Sequence, residues 1–228
     1  MTRGAFYRRW ILANGCAELV GLGSTLGLGA AVATRMPRLD SSPSTILLAA
    51  FGAVLAGTLL EGVLLGASQA WALGTVLPSF SRRRWIGATA LGAGIAWTAG
   101  MLPSTIMSLV SAPQAQGAAP ESFEPSLALT LLLAAALGVV LGPFLGLPQG
   151  RVLRAHGGTV ARWVAANCAA WALGMPVVFL ATAVIDESST ALQVALTLGA
   201  ATLGAGLVVG AVHGRFLLPL VGKTPSSA

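Results

Sequence analysis

Two glutamates lie inside apolar stretches of this chain, where a carboxyl group is costly to bury. Glu18 follows Trp10 by eight residues, and Glu61 precedes Gln69 by eight residues. At the helical rise per residue, each carboxyl lies about 12 Å along its helix from the basic end of its segment. A carboxyl at that depth is protonated, is paired, or faces a water-filled cavity. Glu18 and Glu61 therefore form a candidate proton or cation site.

The sequence predicts the orientation of Glu18 but not that of Glu61. Glu18 shares a helical stripe with Asn14, Gly21 and Thr25, which predicts that it points into a helix bundle. Glu61 is about 100° away from the glycine-bearing face of its helix, so its direction stays open. The alternative to a proton or cation site is a protonated carboxyl that hydrogen-bonds to a neighbouring helix.

A second set of polar residues recurs near the basic ends of the apolar segments. We expect them to line the inner mouth of a solute path, or alternatively to hydrogen-bond to neighbouring helices and join them. His213 is the member able to titrate near neutral pH. The set comprises Asn14, Gln69, Thr89, Gln149, Asn167 and His213.

Residues for other kinds of chemistry are missing. His213 and His156 are the two histidines of the chain, and they do not form a metal-ligand pattern. The sequence also lacks a phosphate-binding glycine loop, a His-x-x-Glu-His or Cys-x-x-Cys pair and a nucleophilic serine elbow. We therefore predict a protein that is not an enzyme and holds no metal and no cofactor.

The composition is that of an integral membrane protein. Apolar residues make up 55% of the chain and charged residues 9%, with a mean hydropathy of +0.82. The net charge of +6 does not indicate a nucleic-acid partner, because the basic residues lie in short connections between apolar runs. The predicted partner is the lipid bilayer.

Six apolar runs are long enough to cross a membrane as helices. They cover residues 10–34, 45–69, 85–110, 127–149, 163–185 and 191–213. Basic residues concentrate in the connections on one side, which the positive-inside rule assigns to the cytoplasm together with both termini. We therefore expect a multi-pass protein of the cell (inner) membrane. The basic residues of that side are Arg3, Arg8, Arg9, Arg82, Arg83, Arg84, Arg151, Arg154, Arg162, Arg215 and Lys223.

A repeated helical hairpin organises the chain. Each copy opens with a tryptophan that we expect to anchor at the lipid interface (Trp10, Trp85, Trp163). Each copy closes on a glycine pair that lets a neighbouring helix approach closely (Gly62 and Gly66, Gly142 and Gly146, Gly206 and Gly210). The copies cover about 8–74, 83–154 and 161–218. They predict one transmembrane domain over 1–228, an all-α fold of three parallel hairpins around a pseudo-threefold axis.

This repeat resembles one found in uncharacterised multi-span membrane proteins of bacteria, such as chloroflexi and cyanobacteria. The resemblance rests on Gly-x-x-Gln followed by a basic residue, and on Trp163-Val-Ala-Ala-Asn167 leading into Trp171-Ala-Leu-Gly174. It covers most of the chain and implies no particular activity.

Two functional hypotheses follow from these observations. The glutamates are not repeated: Ala93 and Trp171 occupy the positions of Glu18, and Leu141 and Ala205 those of Glu61. Because the architecture does not require them, they favour translocation of a small ion or solute. The rival is an accessory or assembly subunit of a larger membrane complex, or a homo-oligomer, that packs against partners through its glycine-lined faces.

Overall fold

The computed structural model describes residues 1–33, 42–77, 79–111, 125–186 and 188–222, and these ranges contain helices and turns but no strand. Six helices are long and apolar enough to cross a membrane, as predicted. They are α1 (Arg3–Ala33), α2 (Pro43–Leu73), α3 (Arg82–Ser111), α4 (Leu127–Arg154), α5 (Val160–Leu180) and α6 (Ala191–Leu217). Short 3-10 turns follow at Ala181–Ala183 and Leu218–Leu220.

The two ends of the helices differ in charge. We call the end that carries the arginines of α1, α3, α4, α5 and α6 the arginine end. At the opposite end, α2, α4 and α6 begin at the hydroxyl caps Ser42, Ser126 and Thr190, and Thr190 completes a capping box with Gln193. Several charged residues of the predicted connections lie outside the described residues, namely Arg35, Arg38, Asp40, Glu121, Glu124, Glu187 and Lys223.

The helices extend further at the arginine end than the apolar runs predict. Helix α1 begins at Arg3 rather than at residue 10, and α4 continues to Arg154 rather than ending at residue 149. Hydropathy locates the part of a helix that suits hydrocarbon, whereas arginine is itself a good helix former. Arg151 and Arg154 also suit the last turn of α4, where the helix dipole favours positive charge.

Helix α2 contains a π-helical turn that its apolar pattern does not predict. Residues Gly57–Gly62 form this turn between the α-helical segments Pro43–Ala56 and Val63–Leu73. The backbone N–H of Val63 bonds to the carbonyl of Thr58, five residues earlier. Such turns are rare and occur often at functional sites. Glu61 lies on this one.

The six helices form a closed ring. Each packs against the next in sequence, and α6 packs against α1. Large apolar side chains cover the outer surface, such as Leu48, Phe51 and Leu132, which are 71%, 63% and 65% exposed. An apolar exterior of this kind suits contact with lipid tails rather than with water.

The glycine pairs bring neighbouring helices of the ring into backbone contact. A Cβ atom built on Gly66 of α2 would lie 3.0 Å from Cα of Ile86 in α3. The corresponding distances are 2.6 Å from Gly142 to Cα of Cys168 in α5, and 2.9 Å from Gly210 to Cα of Ile11 in α1. Gly62, Gly146 and Gly206 make equivalent contacts with the same helices. These glycine pairs are therefore covered by neighbouring helices of the same chain.

Candidate functional site

A cluster of polar and aromatic side chains fills the bundle near the arginine end. We call it the tryptophan–amide cluster. Each of its six polar members is at most 2% exposed, and its three tryptophans are at most 3% exposed. The ring of Trp163 lies 6.4 Å from that of Trp10 and 6.0 Å from that of Trp85. The polar members are Asn14, Gln69, Thr89, Gln149, Asn167 and His213.

Gln69 links the first two hairpins. Its Nε2 donates to Oδ1 of Asn14 at 2.8 Å, and its Oε1 accepts from Nε1 of Trp85 at 3.1 Å. The bond to Asn14 closes the first hairpin, and the bond from Trp85 reaches the first helix of the second. Asn14 uses its own amide nitrogen on the carbonyl of Trp10, one turn earlier in α1.

Gln149 makes the same pattern one hairpin later. Its Nε2 donates to Oγ1 of Thr89 at 2.9 Å, and its Oε1 accepts from Nε1 of Trp163 at 3.0 Å. The same Nε2 also lies 3.2 Å from Oε1 of Gln69, which joins the two glutamines directly. The side chains of five helices, α1 to α5, are thus connected by buried hydrogen bonds.

The side chain at position 213, at the end of the third helix pair, does not continue this pattern. Neither ring nitrogen of His213 has a hydrogen-bond partner among the described residues, and neither do Nε1 of Trp10 and Oδ1 of Asn167. With the bonding pattern of Gln69 and Gln149, a glutamine at position 213 would accept from Trp10 and donate to Asn167. The histidine instead packs against Trp163, with 4.9 Å between the ring centroids. The cluster is therefore complete at two of three positions.

The structure bears on two sequence expectations about this cluster, one for its tryptophans and one for its polar residues. We expected the tryptophans to face the lipid interface, whereas their rings contact protein in the interior. For the polar residues, Gln69 and Gln149 bond to side chains of neighbouring helices, which is the arrangement of the second alternative given above. The indole N–H groups of Trp85 and Trp163 each donate to a glutamine carbonyl and are buried with it, as buried polar groups require.

The side chain of Glu18, on α1, is fully buried against α6. Its exposed fraction is 0%, and neither carboxyl oxygen has a hydrogen-bond partner among the described residues. A Cβ atom on Gly206 would lie 2.8 Å from Cβ and Cγ of Glu18, so α6 presses directly on the side chain. The stripe of Asn14, Glu18, Gly21 and Thr25 faces the interior, as its helical spacing predicts.

Glu61 is also buried, with 6% of its surface exposed. Its side chain therefore points into the bundle, a direction that the sequence leaves open. Its Oε2 accepts a hydrogen bond from Nε1 of Trp97 in α3 at 2.8 Å. The indole of Trp97 occupies the space beside Gly57, where any Cβ atom would overlap it. The π-helical turn thus contains both Glu61, which accepts the hydrogen bond, and Gly57, which leaves space for the indole of Trp97.

The two glutamates are neighbours across the α1–α2 contact. A Cβ atom on Gly21, one turn beyond Glu18, would lie 2.8 Å from Cα of Glu61. Negative charges on the two carboxyl groups would repel each other. In a low-dielectric interior, two such carboxylates do not ionise together without a cation. The arrangement therefore favours a proton on at least one of the two carboxyl groups, or a cation beside them.

A cavity of about 240 Å³ lies beside Glu61, on the side away from the arginine end. Five of the six helices line it, and most of its wall is apolar. The positions that match the glutamates in the other hairpins contribute to that wall, namely Ala93, Leu141 and Trp171. The cavity therefore begins at the level of Glu61 and extends away from the arginine end.

Sequence reasoning missed Trp97 and the π-helical turn. Trp97 lies outside the repeated tryptophan positions, and nothing in the spacing of α2 indicates an irregular helix. The composition of this turn offers the one available signal, because Gly57 and Gly62 enclose two polar residues, Thr58 and Glu61, in an otherwise apolar segment. Among the described residues, no group of three or more histidines, cysteines or acidic residues is arranged to hold a metal ion.

Comparison with protein-family models, curated proteins and solved structures finds no match. The chemistry of the buried residues is accordingly the basis for a functional assignment.

Proposed function

We propose that this chain is a multi-pass membrane protein that translocates a small cation or solute, with Glu18 and Glu61 as the site that exchanges it for a proton. The observation that carries this proposal is the burial of two neighbouring carboxyl groups, one of which has no hydrogen-bond partner among the described residues. A purely structural role would call for a bonded carboxyl, since an unpartnered buried polar group destabilises a fold.

The topology that we propose has both termini in the cytoplasm and three hairpins around a pseudo-threefold axis. The arginine end then faces the cytoplasm, in agreement with the positive-inside rule. Support for the axis comes from contacts that recur from copy to copy. Each glycine pair packs against the first helix of the following hairpin, and the third pair returns to α1. The hydrogen bonds of Gln69 and Gln149 are equivalent in the same sense.

Exchange follows from the electrostatics of the pair. With protons on both carboxyl groups, Glu18 and Glu61 are neutral and tolerate the apolar interior. A cation that enters beside Glu61 stabilises the ionised carboxylate, and the displaced proton leaves. Return of a proton from the other side expels the cation. The tryptophan–amide cluster closes the path at the arginine end in this conformation, so transport requires that the bundle rearrange there.

Proteoliposomes loaded with a pH-sensitive dye test this proposal. With an imposed pH gradient, the wild-type protein should dissipate the gradient faster in the presence of a transported cation than in its absence. Glu18→Gln and Glu61→Gln should each abolish the cation-dependent part, because an amide cannot exchange a proton. Asp186→Asn is the matched control, since Asp186 is an exposed carboxylate in the connection between α5 and α6.

The outcomes separate the two hypotheses. Cation-dependent flux that survives both glutamate substitutions would refute the proton-exchange site. Absence of flux from the wild-type protein, together with stoichiometric co-purification of other membrane proteins, would instead support the accessory-subunit hypothesis.

A further inference from the structure

The residues that line the cavity beside Glu61 favour one class of ligand, because they combine a single carboxyl group with aromatic and thioether side chains. We infer that it binds an apolar organic cation, with a quaternary or tertiary ammonium group against Glu61 and its hydrocarbon part among the rings and thioethers of the wall. This inference rests on the proposed function in one respect, since both use the carboxyl group of Glu61.

The charge of the ligand follows from the acidic residue in the wall. Glu61 is the one ionisable side chain among the described lining residues, and the only one with a side-chain oxygen. Dehydrated metal ions such as Ca²⁺ and Mg²⁺ require about six oxygen ligands. One carboxyl group does not meet that requirement, but it does pair with an ammonium ion, whose alkyl groups need no oxygen ligands.

The hydrocarbon part of the ligand follows from the remaining wall. Trp97, Trp171 and Phe179 supply aromatic rings, and Met101 and Met175 supply polarizable thioethers. Aromatic faces attract quaternary ammonium groups, and methionine adapts its shape to irregular ligands. Water is a poor occupant, because it finds few hydrogen-bond partners in a cavity of this composition.

The size of the ligand follows from the volume. An apolar cavity of about 150 Å³ holds a benzene molecule. The cavity beside Glu61 measures about 240 Å³. It therefore accommodates one aromatic ring together with a small ammonium group.

The π-helical turn places the recognition group within this space. Gly57 leaves room for the indole of Trp97, and that indole holds Oε2 of Glu61 at the cavity wall. The carboxyl is thereby presented to the cavity in a fixed position. A permanent cation that binds there displaces the proton of Glu61, so one proton leaves for each cation bound.

Benzyltrimethylammonium is the probe, and neopentylbenzene, its neutral isostere, is the control ligand. Binding to the full-length protein in detergent is measured by tryptophan fluorescence, and proton release by calorimetry in buffers of different ionisation enthalpy. The expected result is saturable binding of the cation with release of about one proton. Glu61→Gln should abolish proton release and weaken cation binding about tenfold or more, since a desolvated charge contact is lost.

A second pair of variants tests the location. A Cβ atom on Gly100, which lines the cavity, or on Gly87, which does not, would have no heavy atom within 4 Å, so both positions have room for a side chain. Gly100→Leu should fill the cavity and reduce binding, whereas Gly87→Leu should leave it unchanged. Monodisperse elution of each variant confirms that it folds.

Three outcomes would overturn the inference. They are no binding of the cation to the wild-type protein, equal affinity for the cation and its neutral isostere, and unchanged cation binding in both Glu61→Gln and Gly100→Leu. The first two outcomes would leave proton exchange at the glutamates intact, since the flux assay measures it independently. Binding without flux would confirm the cavity site and refute translocation.

Discussion

Loss of the Gln149 amide should destabilise the protein much more than loss of the His213 ring at the equivalent position. Gln149→Leu removes three hydrogen bonds between helices, to Gln69, Thr89 and Trp163. Interhelical hydrogen bonds in a membrane protein average about 0.6 kcal/mol each, so we expect a loss of about 2 kcal/mol. His213→Leu removes none, because both of its ring nitrogens are unpartnered among the described residues. Its cost should be near zero.

The converse substitution, His213→Gln, should stabilise the protein. It offers a partner to Nε1 of Trp10 and to Oδ1 of Asn167, both of which are buried without one among the described residues. Two new bonds at the same average strength predict a gain of about 1 kcal/mol.

A double-mutant cycle sharpens the same prediction. Gln69 also makes three such bonds, one of them shared with Gln149. The two single losses therefore count that shared bond twice, and the Gln69→Leu, Gln149→Leu double variant should lose about 0.6 kcal/mol less than their sum.

Reversible unfolding in mixed micelles of increasing dodecyl sulfate fraction measures these free energies, with helix content followed by circular dichroism. Equal losses for Gln149→Leu and His213→Leu would show that packing, rather than hydrogen bonding, stabilises the cluster. A destabilised His213→Gln variant would refute the inference that the three copies share one bonding pattern.

Two further predictions concern glycines. Gly142→Val should cost about 1–3 kcal/mol or more in unfolding free energy, because its Cβ would lie 2.6 Å from backbone atoms of Cys168. Gly87→Val is the control in the same unfolding assay, and equal stability of the two variants would contradict the predicted α4–α5 contact. Gly57→Ala should displace the indole of Trp97 and break its bond to Glu61. An unchanged indole N–H signal of Trp97 in a nitrogen–proton NMR spectrum would exclude this effect.

Much of the fold is predictable because it depends on properties of single helices. The length and apolarity of each run predict a spanning helix, and all six helices are present. The spacing of Asn14, Glu18, Gly21 and Thr25 predicts one face, and that face is buried. The glycine pairs predict close helix approach, and the structure has backbone contact at each pair.

The partners within the candidate site are less predictable, because they depend on how helices are rotated and shifted against one another. Periodicity places Gln69 and Trp85 on inner faces but does not align them, whereas packing brings the amide and the indole within 3.1 Å. Glu61 illustrates the limit most clearly. An ideal α-helix turns 100° per residue and leaves its side chain off the glycine face, but the π-helical turn breaks that regularity.

The sequence by itself thus determined six apolar helices and the presence of two carboxyl groups at mid-helix depth. Only the tertiary structure decided that those carboxyl groups are neighbours, that Trp97 holds one of them, and that a cavity lies beside it. The physical reason is that hydrophobic periodicity is a property of one helix. Contacts between side chains depend on the register of several helices, which close packing fixes only when the whole bundle has formed.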